Sequence, residues 1–143
     1  MTVEILLSRL NRVKQTGRGR WVACCPAHDD KRPSLAITET DDGKVLVHDF
    51  GGCSVYDVLF SVRMKVQDLF AGSGEMPRNA LKTAKMPFSY ADAMRCIAFE
   101  STLAAVAAGN LANGVTLTDT DKARLMLASK RINHALEVCG CRH

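Results

Sequence analysis

The stretch that decides the fold is "CCPAHDDKRPSLAI", Cys24 to Ile37, answered by "VHDFGGC", Val47 to Cys53. Cys25 and His28 form a Cys-Pro-x-His turn. That is half of a tetrahedral zinc site, in which two short turns each present two donors and an intervening hairpin brings the pairs together. Cys53 supplies a third donor. Its partner is either Asp49, with three residues between, or His48, with four. Neighbouring side chains of the alternating strand "KVLVHDF" leave opposite faces, so only one of the two can point at a metal.

Outward from this pair, "WVAC", "SLAIT" and "KVLVHDF" read as strands, with "DDG" (Asp41 to Gly43) as the turn between the last two. They predict a small three-stranded antiparallel ribbon. Upstream, Val3, Leu6, Leu7, Leu10 and Val13 recur at helical spacing, which predicts a first helix ended by Gly17 and Gly19. Downstream, Ser54 and Asp57 have the spacing of a capping box and open the helix "SVYDVLFSV", followed by a shorter turn, "KVQDLF".

The run from 71 to 88 has several breakers and no sustained period, and reads as a linker. Beyond it, Ser89 with Asp92 and Thr118 with Asp121 cap two helices, over 89–109 and 119–138. These form a hairpin packed through Ile97, Leu103, Val106, Leu125, Ile132 and Leu136. The expected class is α+β: a zinc ribbon with flanking helices over 1–70, a linker, and a helical hairpin over 89–143.

The 143 residues are 47% hydrophobic and 24% charged, the balance of a folded chain. The apolar N-terminal pattern is interrupted by Glu4, Arg9 and Arg12, so it is neither a membrane span nor a signal peptide. The expected location is cytoplasmic, without membrane partners. In a reducing compartment, six cysteines beside a Cys-Pro-x-His turn point to metal before disulfides. The net charge is +4, and residues 1–20 hold Arg9, Arg12, Lys14, Arg18 and Arg20 against Glu4 alone, with Trp21 next. Such a run can neutralise phosphates while the aromatic stacks on a base.

The string "GRGRWVACCPAHDDKRPSLAI…KVLVHDFGGCSVYDVL" resembles the zinc-binding domain at the N-terminus of bacterial and phage DNA primases. The family pattern is Cys-Pro-x-His, then Pro-Ser, then two cysteines ahead of an Asp-containing helix. Cys25-Pro26-x-His28, Pro33-Ser34, Gly52-Cys53 and Asp57 fall in that order, over about residues 12 to 70. The chain looks most like the divergent form found in phages and other mobile elements. The resemblance puts the fourth ligand on Asp49, where the common pattern has cysteine, and implies Zn²⁺ held by Cys25, His28, Asp49 and Cys53.

It also implies recognition of single-stranded DNA by an exposed sheet, with Arg18, Arg20, Trp21, Lys31, Arg32 and Lys44 as the contact candidates. Primases carry their chemistry in a separate Mg²⁺-dependent domain, and after Phe70 this sequence offers helices without alternating strands. No catalytic residue is predicted. The Asp119-x-Asp121 pair sits in a helix first turn, where acids act as caps. The tail cysteines Cys139 and Cys141, with His143, lie at a terminus ill suited to an ordered site. The expected function is a non-catalytic, primase-like module that binds DNA or assists a separate helicase, primase or polymerase subunit in replication. The alternative is a zinc-stabilised protein-interaction module that dimerises through its C-terminal helices.

Overall fold

A computed structural model of the protein describes residues 2–29, 31–70 and 88–141. The elements run Thr2–Ser8 (α1), Asn11–Gly17 (β1), Arg20–Cys24 (β2), Leu35–Glu39 (β3), Val45–Asp49 (β4), Val55–Ser61 (α2), a 3₁₀ turn at Val66–Phe70, Tyr90–Ala112 (α3) and Asp119–Val138 (α4). The expected linker lies outside the described residues except for Phe88. The chain divides into two compact units, Met1–Cys96 and Ile97–His143.

The fold is α+β, but its antiparallel sheet has four strands in the order β1-β2-β3-β4, not three. The extra strand comes from the segment read as the second half of the first helix. That helix stops at Ser8, where the amides of Arg9 and Leu10 reach back only three residues, to Leu6 and Leu7. Val3, Leu6 and Leu10 are buried, whereas Val13, on the same helical stripe, is exposed. A helix of about a dozen residues is marginal by itself, and here antiparallel pairing with β2 outcompetes it. Gly19 makes this possible: its φ is +66°, and a Cβ there would sit 2.9 Å from the Glu39 carbonyl. The hairpin register passes from Asn11 opposite Cys24 to Lys14 opposite Val22, a bulge that holds Arg12 at φ 54°.

Alternation along the strands sorts the sheet into two faces. Trp21, Ile37 and Val47 lie in one cross-strand row, and Ala23, Leu35 and Asp49 in the next. This face packs with Val3, Leu6, Val58, Leu59 and Leu69 into the main core. The opposite face carries Val22, Ala36 and Leu46, each 5% exposed or less. There Phe88 sets its ring 5.8 Å from His48 and 6.2 Å from Phe50, and buried Asp92 accepts a hydrogen bond from Thr16. Both faces of β2 to β4 are therefore covered, whereas β1 is exposed from Asn11 to Gln15. Two buried faces also supply the apolar area that a ribbon of three strands would lack.

The second unit is held by charge as much as by apolar packing. Glu100, 6% exposed, takes a two-pronged hydrogen bond from Arg124, both prongs 2.8 Å, and a third from Arg131 at 2.7 Å. Burial alone would raise the Glu100 carboxyl, but the two guanidiniums outweigh it and hold it below its ordinary value. Ile97 is buried and Leu103, Leu125 and Ile132 are half-buried, but Val106 and Leu136 are exposed. Small Ala128 and Ala135 take the closest positions on α4, so the bulkier side chains are left outside.

Candidate metal centre

The centre is built where three chain segments meet. Cys25 follows β2 directly and keeps to the core face, buried beside Ala23 and Leu35. The chain then turns through Pro26 and Ala27, which brings His28 back over it. Asp49 ends β4 on the same face, in register with Leu35, while His48 points to the other face and meets Phe50 and Phe88. The period of two along the strand thus separates the two residues. Cys53 closes the set, one residue before the N-cap of α2.

The ligand atoms of Cys25, His28, Asp49 and Cys53 all lie within 4.8 Å of one another. His28 Nδ1 is 3.1 Å from Cys53 Sγ and 3.7 Å from Asp49 Oδ2. Zinc bonds of about 2.0–2.3 Å set the corners of a tetrahedron about 3.3–3.8 Å apart, so small side-chain shifts suffice. Two thiols, an imidazole and a carboxylate are a donor set that fits a divalent transition metal, and this cluster could hold one.

The carboxylate is held before any ion arrives. Asp49 Oδ1 accepts from Ser34 Oγ at 2.7 Å and from the Gly51 amide at 3.1 Å, and Oδ2 accepts from the Cys53 amide at 3.0 Å. Oδ2 therefore keeps lone-pair capacity on the His28 side. The amides of Gly51 and Cys53 in this glycine-rich turn thus both go to the carboxylate. Gly51 is required for a second reason. A Cβ on it would lie 2.9 Å from His28 Cε1 and 3.1 Å from both Asp49 oxygens.

Burial pushes both thiols upward. Cys25 moves far up, opposed by a backbone hydrogen bond from Ala27 and reinforced by the negative charge of Asp49 and by Cys53. Cys53 rises through burial and then through Asp49. The thiols therefore keep their protons unless a cation displaces them, which couples metal uptake to proton release. Sequence reasoning missed Ser34. Its signal was present in the Pro33-Ser34 step just ahead of a strand that pairs with β4.

The six DNA-contact candidates do not form one patch. Arg18 and Arg20 flank the β1–β2 turn, and Lys44 lies at the same end of the sheet, paired with Asp42 at 3.0 Å. Lys31 and Arg32 are exposed at the opposite, metal end, where Arg12 donates to the Lys31 carbonyl at 2.7 Å. A strand of five residues separates the ends by about 16 Å. Trp21 is half-buried and packs against the main core.

Asp119 and Asp121 are exposed in the first turn of α4. There Asp121 and Thr118 exchange the two hydrogen bonds of a capping box. Cys139 and Cys141 sit at the end of the same helix, and His143 is outside the described residues. Among the described residues no helix is long and apolar enough to cross a membrane. No protein-family model, no curated protein and no solved structure matches this chain.

Proposed function

We propose that Cys25, His28, Asp49 and Cys53 hold a structural zinc ion, and that the module it braces is a non-catalytic, primase-like DNA-binding element. It takes single-stranded DNA, or assists a separate replication or priming enzyme. The convergence of the four donors supports this reading. Four protein ligands fill a tetrahedral shell and leave no position for a reactive water, which fits a metal whose binding energy is folding energy. When bound, zinc supplies a cross-link between the turn after β2 and the turn after β4. The residues do the rest: Asp49 fixes the second turn through its hydrogen bonds, and Gly51 lets that turn close over His28.

The test has two parts, elemental analysis of the purified chain and binding of a fluorescent single strand at two salt concentrations. One zinc per chain and an affinity that falls as salt rises are expected. Metal-free protein, or an affinity indifferent to salt, overturns the proposal.

One observation favours a second reading, as a protein-interaction module. In the unit Ile97–His143, Val106, Leu111 and Met126 are each more than half exposed. A sizing column and the same DNA assay separate the two, because a strict monomer that binds DNA excludes dimerisation as the function.

A further inference from the structure

With both faces of β2 to β4 covered, other surfaces come forward for a nucleic acid, and one aromatic pair stands out. Tyr56 and Phe60 lie one turn apart on α2, 64% and 84% exposed. Between α2 and the 3₁₀ turn they overlook an open groove of about 620 Å³, whose floor includes Met64 and whose rim includes Lys65. A benzyl ring left this exposed gains nothing for the fold, and an aromatic patch of this kind marks a binding surface.

The charges beside the groove indicate the occupant. Arg63 and Lys65 are exposed, and Arg9 lays its guanidinium on the Val62 and Arg63 carbonyls at 2.9 and 3.2 Å. Two acids are close by, and one of them, Asp57, lines the groove itself. Asp57 is bonded by Ser54, and Asp68 accepts the Lys65 amide at 2.8 Å. Lys65 lines the groove and exposed Arg63 adjoins it in the chain, so cations accompany two aromatic rings, an arrangement that suits phosphates and bases together.

Spacing selects the strandedness. Side chains at i and i+4 stand about 5–6 Å apart, while stacked bases in a duplex rise about 3.4 Å. Neighbouring bases can occupy Tyr56 and Phe60 only if they have come apart from each other, as in an extended single strand.

We infer that α2 is the base-stacking platform of the module: Tyr56 and Phe60 each take one unpaired base, and Lys65 and Arg63 take the adjoining phosphates. This rests on the reading of the module as a DNA-binding element and gives that reading a location.

The experiment uses the full chain and an oligothymidylate of about 12 nucleotides carrying one 2-aminopurine, followed by anisotropy and by quenching of the aminopurine on stacking. Tyr56→Ala and Phe60→Ala should each weaken binding about ten-fold and relieve the quench. Lys65→Gln should lower the salt slope by about 0.7 while leaving the quench intact. Both aromatic side chains are exposed, and a thermal melt of each variant checks that the fold is unchanged. If the wild type binds and the aromatic variants bind and quench equally well, the platform is refuted while DNA binding stands. If the wild type does not bind the oligonucleotide at all, both readings fall. Full retention of affinity for a blunt duplex over the single strand would also overturn the platform.

Discussion

Asp49→Ala separates a ligand from a purely structural acceptor. The substitution removes one acceptor group and leaves three donors behind, the buried Ser34 hydroxyl and the half-buried amides of Gly51 and Cys53. An orphaned buried donor costs about 1–3 kcal/mol, and the two amides can recover part of this from water, so about 3–5 kcal/mol is expected without metal. For a unit of this size each kcal/mol lowers the melting temperature by about 4–8 °C, so the fall in chelator should exceed about 12 °C.

Zinc then adds a second difference. At an excess of about 1,000 times its dissociation constant, the ion stabilises the wild type by about 4.1 kcal/mol. Losing even an outer-sphere partner weakens metal sites about 10- to 100-fold, and losing a ligand should do no less. A 100-fold loss leaves about 1.4 kcal/mol of zinc stabilisation, so the gap between wild type and variant should widen by about 2.7 kcal/mol when zinc replaces chelator. Melts of wild type, Asp49→Ala and His48→Ala under both conditions test this. An equal gap in zinc and in chelator would show that Asp49 only braces the turn. A zinc response that survives Asp49→Ala and vanishes in His48→Ala would refute the ligand set.

Further outcomes follow from neighbouring residues. Ser34→Ala should keep the fold and weaken metal about 10- to 100-fold in a competition with a chromogenic chelator, because Asp49 Oδ1 loses its shortest hydrogen bond. Gly51→Ala should abolish metal uptake, measured by elemental analysis, because its methyl would press on both His28 and Asp49. Gly19→Ala should lower the chelator melting temperature, since it combines a positive φ with a carbonyl at 2.9 Å. The Glu100 carboxyl is held below its ordinary 4.5, so its contribution to the helical pair is fully present above that pH and is lost as pH falls through the folded value. An acid titration of helicity should show that loss in wild type, and Glu100→Gln should remove it.

The sequence disclosed elements whose signals are local. The strands around Val22, Ile37 and Val47, the short helix after Cys53 and the capped helix from Asp119 follow from alternation and capping, both of which act within a few residues. The four residues that converge are those named from spacing and resemblance, because the period of two along β4 settles which of His48 and Asp49 shares a face with Cys25. The first strand was not legible. Asn11–Gly17 has neither the alternation nor the burial of a strand, and it pairs only because the turn at Gly19 brings it beside β2. Nor could the cover over the second sheet face be read. It depends on Phe88 and Asp92, distant in sequence from the strands they touch, and on a register between Thr16 and Asp92 that no local pattern encodes. The placing of Trp21 was hidden for the same reason: its partner row, Ile37 and Val47, belongs to the core.

The placement of that core changes what the metal has to do. Residues 20–60 alone would bury too little to stand without an ion. The observed cluster, however, draws Val3, Leu6 and Leu10 from one side of the sequence and Val62, Met64 and Leu69 from the other. Cys25 is the only one of the four donors within this cluster's fully buried set, while Cys53 lies against its rim and His28 is partly exposed. An ion held by the four donors would therefore fasten two turns to the end of a sheet that already has a hydrophobic interior. The turn that carries Cys53 leads directly into α2, the helix of Tyr56 and Phe60.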